Sequence, residues 1–136
     1  MKLKELLRVL IYGEMEDISV YEIEADIYDK EPEHGPEIRG LYLSLAGEKR
    51  ERLKMLRTIS KEGTGFRQRD TETPRSLAAS LRAHIARALT CVALYNNLIK
   101  ELKKPEFKAA VKDMVTAERR FLKALRALQT KLKQPA

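Results

Sequence analysis

Four charged residues stand where the helical periodicity of this 136-residue chain calls for apolar ones. With residues placed at 100° intervals, Glu14 falls at the middle of a stripe made by Leu3, Leu7, Leu10, Ile11, Ile18, Tyr21 and Ala25, and Glu22 falls nearer its edge. Lys49 and Arg52 project from the stripe of Ile38, Leu41, Tyr42, Leu45, Leu53 and Leu56. Glu118 interrupts Phe107, Val111, Met114, Leu122, Leu125 and Leu128. A fourth stripe, Leu77, Leu81, Ile85, Val92, Tyr95, Ile99 and Leu102, is centred on Ala88, which leaves room for a long side chain opposite. A carboxylate in such a place needs a counter-charge, a proton or water, because uncompensated burial costs on the order of several kcal/mol.

The elements that position these residues are punctuated by sparse, clustered Gly and Pro. Helical runs are expected over 2–30, 37–58, 75–102 and 106–133. They are separated by the tight Glu31–Pro36 break, a crossover over 59–74, and the Lys103-Lys104-Pro105 turn. Thr73-Pro74 suits an N-cap followed by proline in the first turn of the third helix. No segment alternates as a strand does. Two short turns and one long connection predict an all-α, antiparallel four-helix bundle forming a single domain over 1–136. In an antiparallel pair, level residues have numbers that sum to twice the turn's midpoint. Glu14 is thereby level with the Lys49–Arg52 segment, Glu22 with Leu43, and Ala88 with Glu118, so each hairpin places its odd residues near mid-height.

Composition narrows the function classes. One cysteine, Cys91, excludes a disulfide framework and a multi-thiolate zinc site. An apolar content of 43% with 35% charged residues describes a folded chain. No apolar run is expected to reach the ~18 residues of a membrane span, and no leader is expected, so the expected setting is the cytoplasm, with no membrane partner. Few amides amid many Glu, Lys and Arg resemble a thermophile's composition. The net charge of +7 is polarised: residues 1–36 hold four Lys/Arg against ten Asp/Glu, and residues 107–136 hold eight against two. Opposite ends of this kind attract within a monomer or between copies.

These residues resemble the ferritin-like superfamily, specifically rubrerythrin-type domains, over most of the chain outside the crossover. Glu5-Leu6-Leu7-Arg8-Val9-Leu10-Ile11-Tyr12-Gly13-Glu14, followed by Tyr21, resembles the family's first carboxylate helix. Pro36-Glu37-Ile38-Arg39 and Leu45-Ala46-Gly47-Glu48-Lys49-Arg50-Glu51-Arg52-Leu53 are similar to the second. Leu94-Tyr95-Asn96-Asn97-Leu98, Pro105-Glu106-Phe107-Lys108-Ala109 and Ala117-Glu118-Arg119-Arg120-Phe121-Leu122 resemble the second helical pair. The family holds two irons with a Glu from each of two helices and a Glu-x-x-His from each of the other two. By that resemblance Glu14 and Glu118 match ligands. Lys49 and Arg52 stand for one Glu-x-x-His, Ala88 for a Glu, and Phe121 for a His.

Two carboxylates beside two cations are hostile to iron. The resemblance therefore implies a central ion cluster of Glu14, Lys49, Arg52 and Glu118, lined by Ala88, Phe121, Tyr21 and Tyr95, with no cofactor. The other arrangement has Lys49 and Arg52 snorkelling past a wide apolar face, with the carboxylates at a wet seam. The tyrosines serve either as hydrogen-bond donors to the carboxylates or as core filling. His84 is read as a packed histidine; the alternative is an iron or manganese site of Glu14, Glu118, His84 and Glu22. Cys91 is read as an inert buried thiol.

Gly63-Thr64-Gly65-Phe66-Arg67-Gln68-Arg69 lacks the strand and the Gly-Lys-Ser/Thr ending of a phosphate loop, so a mobile crossover is expected. Lys112, Arg119, Arg120, Lys123 and Arg126 form a basic surface on the fourth helix. It is a solvated face, an interface with an acidic helix, or a phosphate-binding face. The functional expectation is a non-catalytic scaffold or interaction protein that self-associates, with a dimer favoured. The alternatives are a metal-binding ferritin-like oxidoreductase or iron-handling protein, and nucleic-acid binding through the fourth helix.

Overall fold

Four helices, and no strand among the described residues, make up the computed structural model, which describes residues 2–62, 66, 68 and 70–133. They are α1 (Leu3–Tyr28), α2 (Gly35–Ser60), α3 (Leu77–Glu101) and α4 (Pro105–Lys133). The chain divides into two compact units, Met1–Thr73 and Pro74–Ala136. The first holds α1 packed on α2, and the second holds α3 packed on α4.

In the first unit the apolar stripes read from the sequence form the core. Ile18, Ala25, Ile38, Tyr42, Leu45 and Leu56 are completely shielded, and Tyr21 meets Tyr42 edge to face at 5.3 Å between ring centres. Leu3, the first residue of α1, is exposed instead. The α1–α2 turn is set by backbone chemistry. Glu33 adopts a left-handed φ of 70°, and the Gly35 N–H donates to the Glu31 carbonyl at 3.0 Å. A Cβ at Gly35 would collide with the carbonyl of Asp29, so this position requires glycine. Pro36, locked at a helical φ, lies in the first turn of α2 and lets that helix begin at Gly35, two residues before the expected start.

The link after α2 begins at Lys61, whose left-handed φ of 60° ends the helix while its N–H bonds the Arg57 carbonyl. Residues 63–65, 67 and 69 of the phosphate-loop-like stretch lie outside the described residues. Phe66 and Gln68 do not: the Gln68 amide donates to the Ser19 carbonyl at 3.5 Å, and the Arg50 guanidinium lies 4.3 Å from the centre of the Phe66 ring.

The second unit departs from the sequence reading in two places. The α3 cap is Ser76, whose hydroxyl oxygen accepts from the Ala79 N–H at 3.1 Å; Thr73-Pro74 lie ahead of the helix. Serine with an extended backbone is an effective N-cap, and it wins over the proline signal. The buried face of α3 runs through Ser80, Leu81, His84, Ala88, Cys91, Tyr95 and Leu98. Ala88 is on it as expected, whereas Ile85, Val92 and Ile99 are half-buried. Large aliphatic residues pull a hydropathy wheel towards themselves, and small or weakly polar Ser, Cys and His go uncounted. The same alanine-rich helix is interrupted by Arg82, His84 and Arg87, so it holds no unbroken apolar run of about 18 residues. It carries an 18-residue window of mean hydropathy 1.3, long and apolar enough to cross a membrane by length and composition. A core helix of a soluble protein passes the same test.

Candidate functional site: an ion cluster on α1 and α2

Mid-length on α1, Glu14 and Asp17 are one helical turn apart and therefore on neighbouring positions of one face. Lys49 and Arg52 have the same spacing on α2. The Lys49 ammonium, fully shielded from solvent, lies between the two carboxylates, 2.9 Å from Glu14 Oε1 and 3.0 Å from Asp17 Oδ2. Arg52 Nη1 donates to the other Glu14 oxygen at 3.2 Å, and its Nε reaches back one turn to Glu48 Oε1 at 3.4 Å. The side chains of Lys49, Arg52 and Glu14 are 0%, 1% and 2% exposed, and that of Asp17 is 10% exposed. Two cations thus meet three carboxylates, those of buried Glu14 and Asp17 and of the half-exposed Glu48. Both Glu14 oxygens are occupied, and the ammonium is held on two sides.

Chemically, this arrangement holds two helices in one register. A carboxylate whose oxygens each accept from a cation is a poor metal ligand and a poor general base. Lys49 and Arg52 point inward, so of the two arrangements open to the sequence, snorkelling is corrected. The reason is that their partners are themselves buried: leaving Glu14 without a cation costs more than bringing the cations in.

A second ion pair ties the link to the helices. Arg50 grips Glu22 in a bidentate way, at 2.7 and 2.9 Å from Nη2 and 3.2 Å from Nε, while its other face lies over Phe66. Glu22 was expected level with Leu43; the length of the Arg50 side chain reaches it from farther along α2. Because this pair is half-exposed, its net contribution is small. Beside it, Asp17, Ile18, Ser19, Val20 and Tyr21 are all buried, so α1 is covered around its whole circumference there. Nearer the turn, Tyr28 has its hydroxyl pKa raised by burial first, then by the charges of Glu24 and Glu31.

The remaining residues singled out from the sequence belong to the second unit. Glu118 is buried on α4 at 2% exposure, and His84, Ala88, Cys91 and Tyr95 are buried on α3. Phe121 is half-buried, and Lys112, Arg119, Arg120, Lys123 and Arg126 are exposed. Of the residues of the alternative metal site, Glu14 and Glu22 are engaged by Lys49, Arg52 and Arg50. Among the described residues no group of three or more His, Cys, Asp and Glu is arranged to hold a metal ion.

Asp17 is the member of the ion cluster that sequence reasoning missed. Its signal was its place one turn from Glu14. Comparison with protein-family models, with curated proteins and with solved structures gives no match.

Proposed function

We propose that this chain is a non-catalytic scaffold or interaction protein, an antiparallel four-helix bundle of the ferritin-like, rubrerythrin-type kind in which ammonium and guanidinium groups do the electrostatic work that iron does in the family. The observation that carries this reading is the shielded Lys49 ammonium, 2.9 and 3.0 Å from two carboxylates. A buried carboxylate requires positive charge nearby, and two fixed cations supply it without metal. The same fixed charges repel a divalent ion. The cluster holds α1 against α2 and leaves the outer faces to partners, among them a second copy of the chain.

Metal analysis of protein purified from iron- and manganese-supplemented medium tests this: less than a tenth of an equivalent is expected, on the order of background, and stoichiometric metal overturns it. The descent from a di-iron site has its own test. Lys49→Glu, Arg52→His, Ala88→Glu and Phe121→His together should create iron affinity, and no affinity in a folded variant refutes the alignment.

A further inference from the structure

The charge of the chain is divided unequally between its two units. Residues 1–73 hold 13 Lys/Arg against 16 Asp/Glu, and residues 74–136 hold 14 against 4, so the first unit carries −3 and the second +10, giving the total of +7. On α4 this charge is ordered. At 100° per residue, Lys112, Arg119, Lys123, Arg126 and Lys133 fall within a sector of about 80°, which also holds Thr130 and, at the edge it shares with Lys133, the buried Val115. All five cations are exposed. Glu106 and Asp113 lie outside the sector, and Glu118 is on the buried side of the helix. No ion pair among the described residues engages any of the five. From Lys112 to Lys133 the stripe is about 32 Å long at 1.5 Å per residue.

A stripe of unneutralised cations this long is expensive to keep beside one another at low salt, and a polyanion of matching length relieves it by counterion release. The stripe has no exposed aromatic residue on which bases would stack; Phe107 and Phe121 are half-buried. Single-stranded nucleic acid is held through such platforms, whereas a duplex presents about one phosphate charge per 1.7 Å of axis and needs none. We infer that the exposed α4 stripe of the second unit binds the phosphate backbone of double-stranded DNA without reading its sequence. This inference is independent of the ion cluster on α1 and α2.

With about four phosphates neutralised, the affinity should fall with a log–log salt slope of about −3.6, a loss of about 150-fold between 50 and 200 mM salt. The test is an anisotropy titration of the full chain against an end-labelled 24-base-pair duplex, in parallel with single-stranded RNA of that length and phosphatidylglycerol vesicles. Arg119→Ala/Lys123→Ala should make the slope shallower by about 1.8, with unchanged helicity by circular dichroism because both side chains are exposed. Lys54→Ala, in the first unit, should leave it unchanged. Two duplexes of different base composition should bind alike.

Absence of duplex binding at 50 mM salt overturns the inference. So does a slope shallower than about −1, or a double variant that binds as the parent does. Tighter binding to the vesicles or to the single strand than to the duplex overturns it as well.

Discussion

Replacing Lys49 by methionine keeps most of the side-chain volume and removes the charge that joins Glu14 to Asp17. At an effective dielectric constant of about 20, opposite unit charges 2.9–3.2 Å apart attract by about 5–6 kcal/mol. Lys49 makes two such contacts and Arg52 one with Glu14. Lys49→Met therefore withdraws about 11 kcal/mol of attraction. It also removes the cost of desolvating one ammonium, which is several kcal/mol. Glu14 keeps Arg52, while Asp17, at the more open edge of the cluster, recovers some hydration. The net loss expected for breaking such a set is about 3–5 kcal/mol. For a chain of 136 residues that corresponds to about 10–17 °C in Tm.

Thermal and urea unfolding followed by circular dichroism at pH 7 reads this loss. Arg52→Ala should cost a comparable amount. Replacing Glu14, Asp17, Lys49 and Arg52 together with apolar residues of similar volume should restore the parental stability or exceed it by about 1–4 kcal/mol, because the desolvation of all four ions then disappears. A loss below about 0.5 kcal/mol in Lys49→Met would refute the reasoning, since only a solvated ammonium is removed so cheaply.

Three further outcomes follow from the backbone and from Tyr28. Gly35→Ala, which drives a Cβ into the Asp29 carbonyl, should destabilise by about 2 kcal/mol in urea unfolding; an unchanged midpoint would contradict the geometry of the turn. Lys61→Gly should stabilise by about 1 kcal/mol, because Lys61 holds the left-handed cap of α2 at a strain that glycine lacks. The raised pKa of Tyr28 means that the folded state keeps this proton to higher pH than the unfolded chain does. Its contribution is intact below the ordinary tyrosine value of 10.0 and is lost as pH rises from there through the folded value. Tyr28→Phe should flatten that alkaline fall in a pH series of unfolding midpoints, and an unchanged slope would refute the assignment.

The pairing of Glu14 with Lys49 and Arg52 was legible because a short turn between two periodic runs fixes which residues are level. Asp17 was not, because a wheel centred on apolar residues places it at the margin, whereas a lysine side chain spans two positions one turn apart. Buried Glu24 escaped for the same reason. Arg50 meeting Glu22 shows the limit of level arithmetic: it locates Cα atoms, and a guanidinium travels a further turn or more. The rotation of α3 towards His84 and Cys91 was hidden by the weight that Ile85, Val92 and Ile99 carry on a hydropathy scale. Contacts of the link, Phe66 on Arg50 and Gln68 on Ser19, follow no period, so no pattern announces them.

Anomalous diffraction at the iron and manganese edges, from crystals of protein grown with both metals, addresses the ion cluster most directly. The expected map has no anomalous peak near Glu14, and has the Lys49 ammonium within hydrogen-bond distance of Glu14 and Asp17. A metal peak bonded to Glu14, or Lys49 turned out into water, would contradict it.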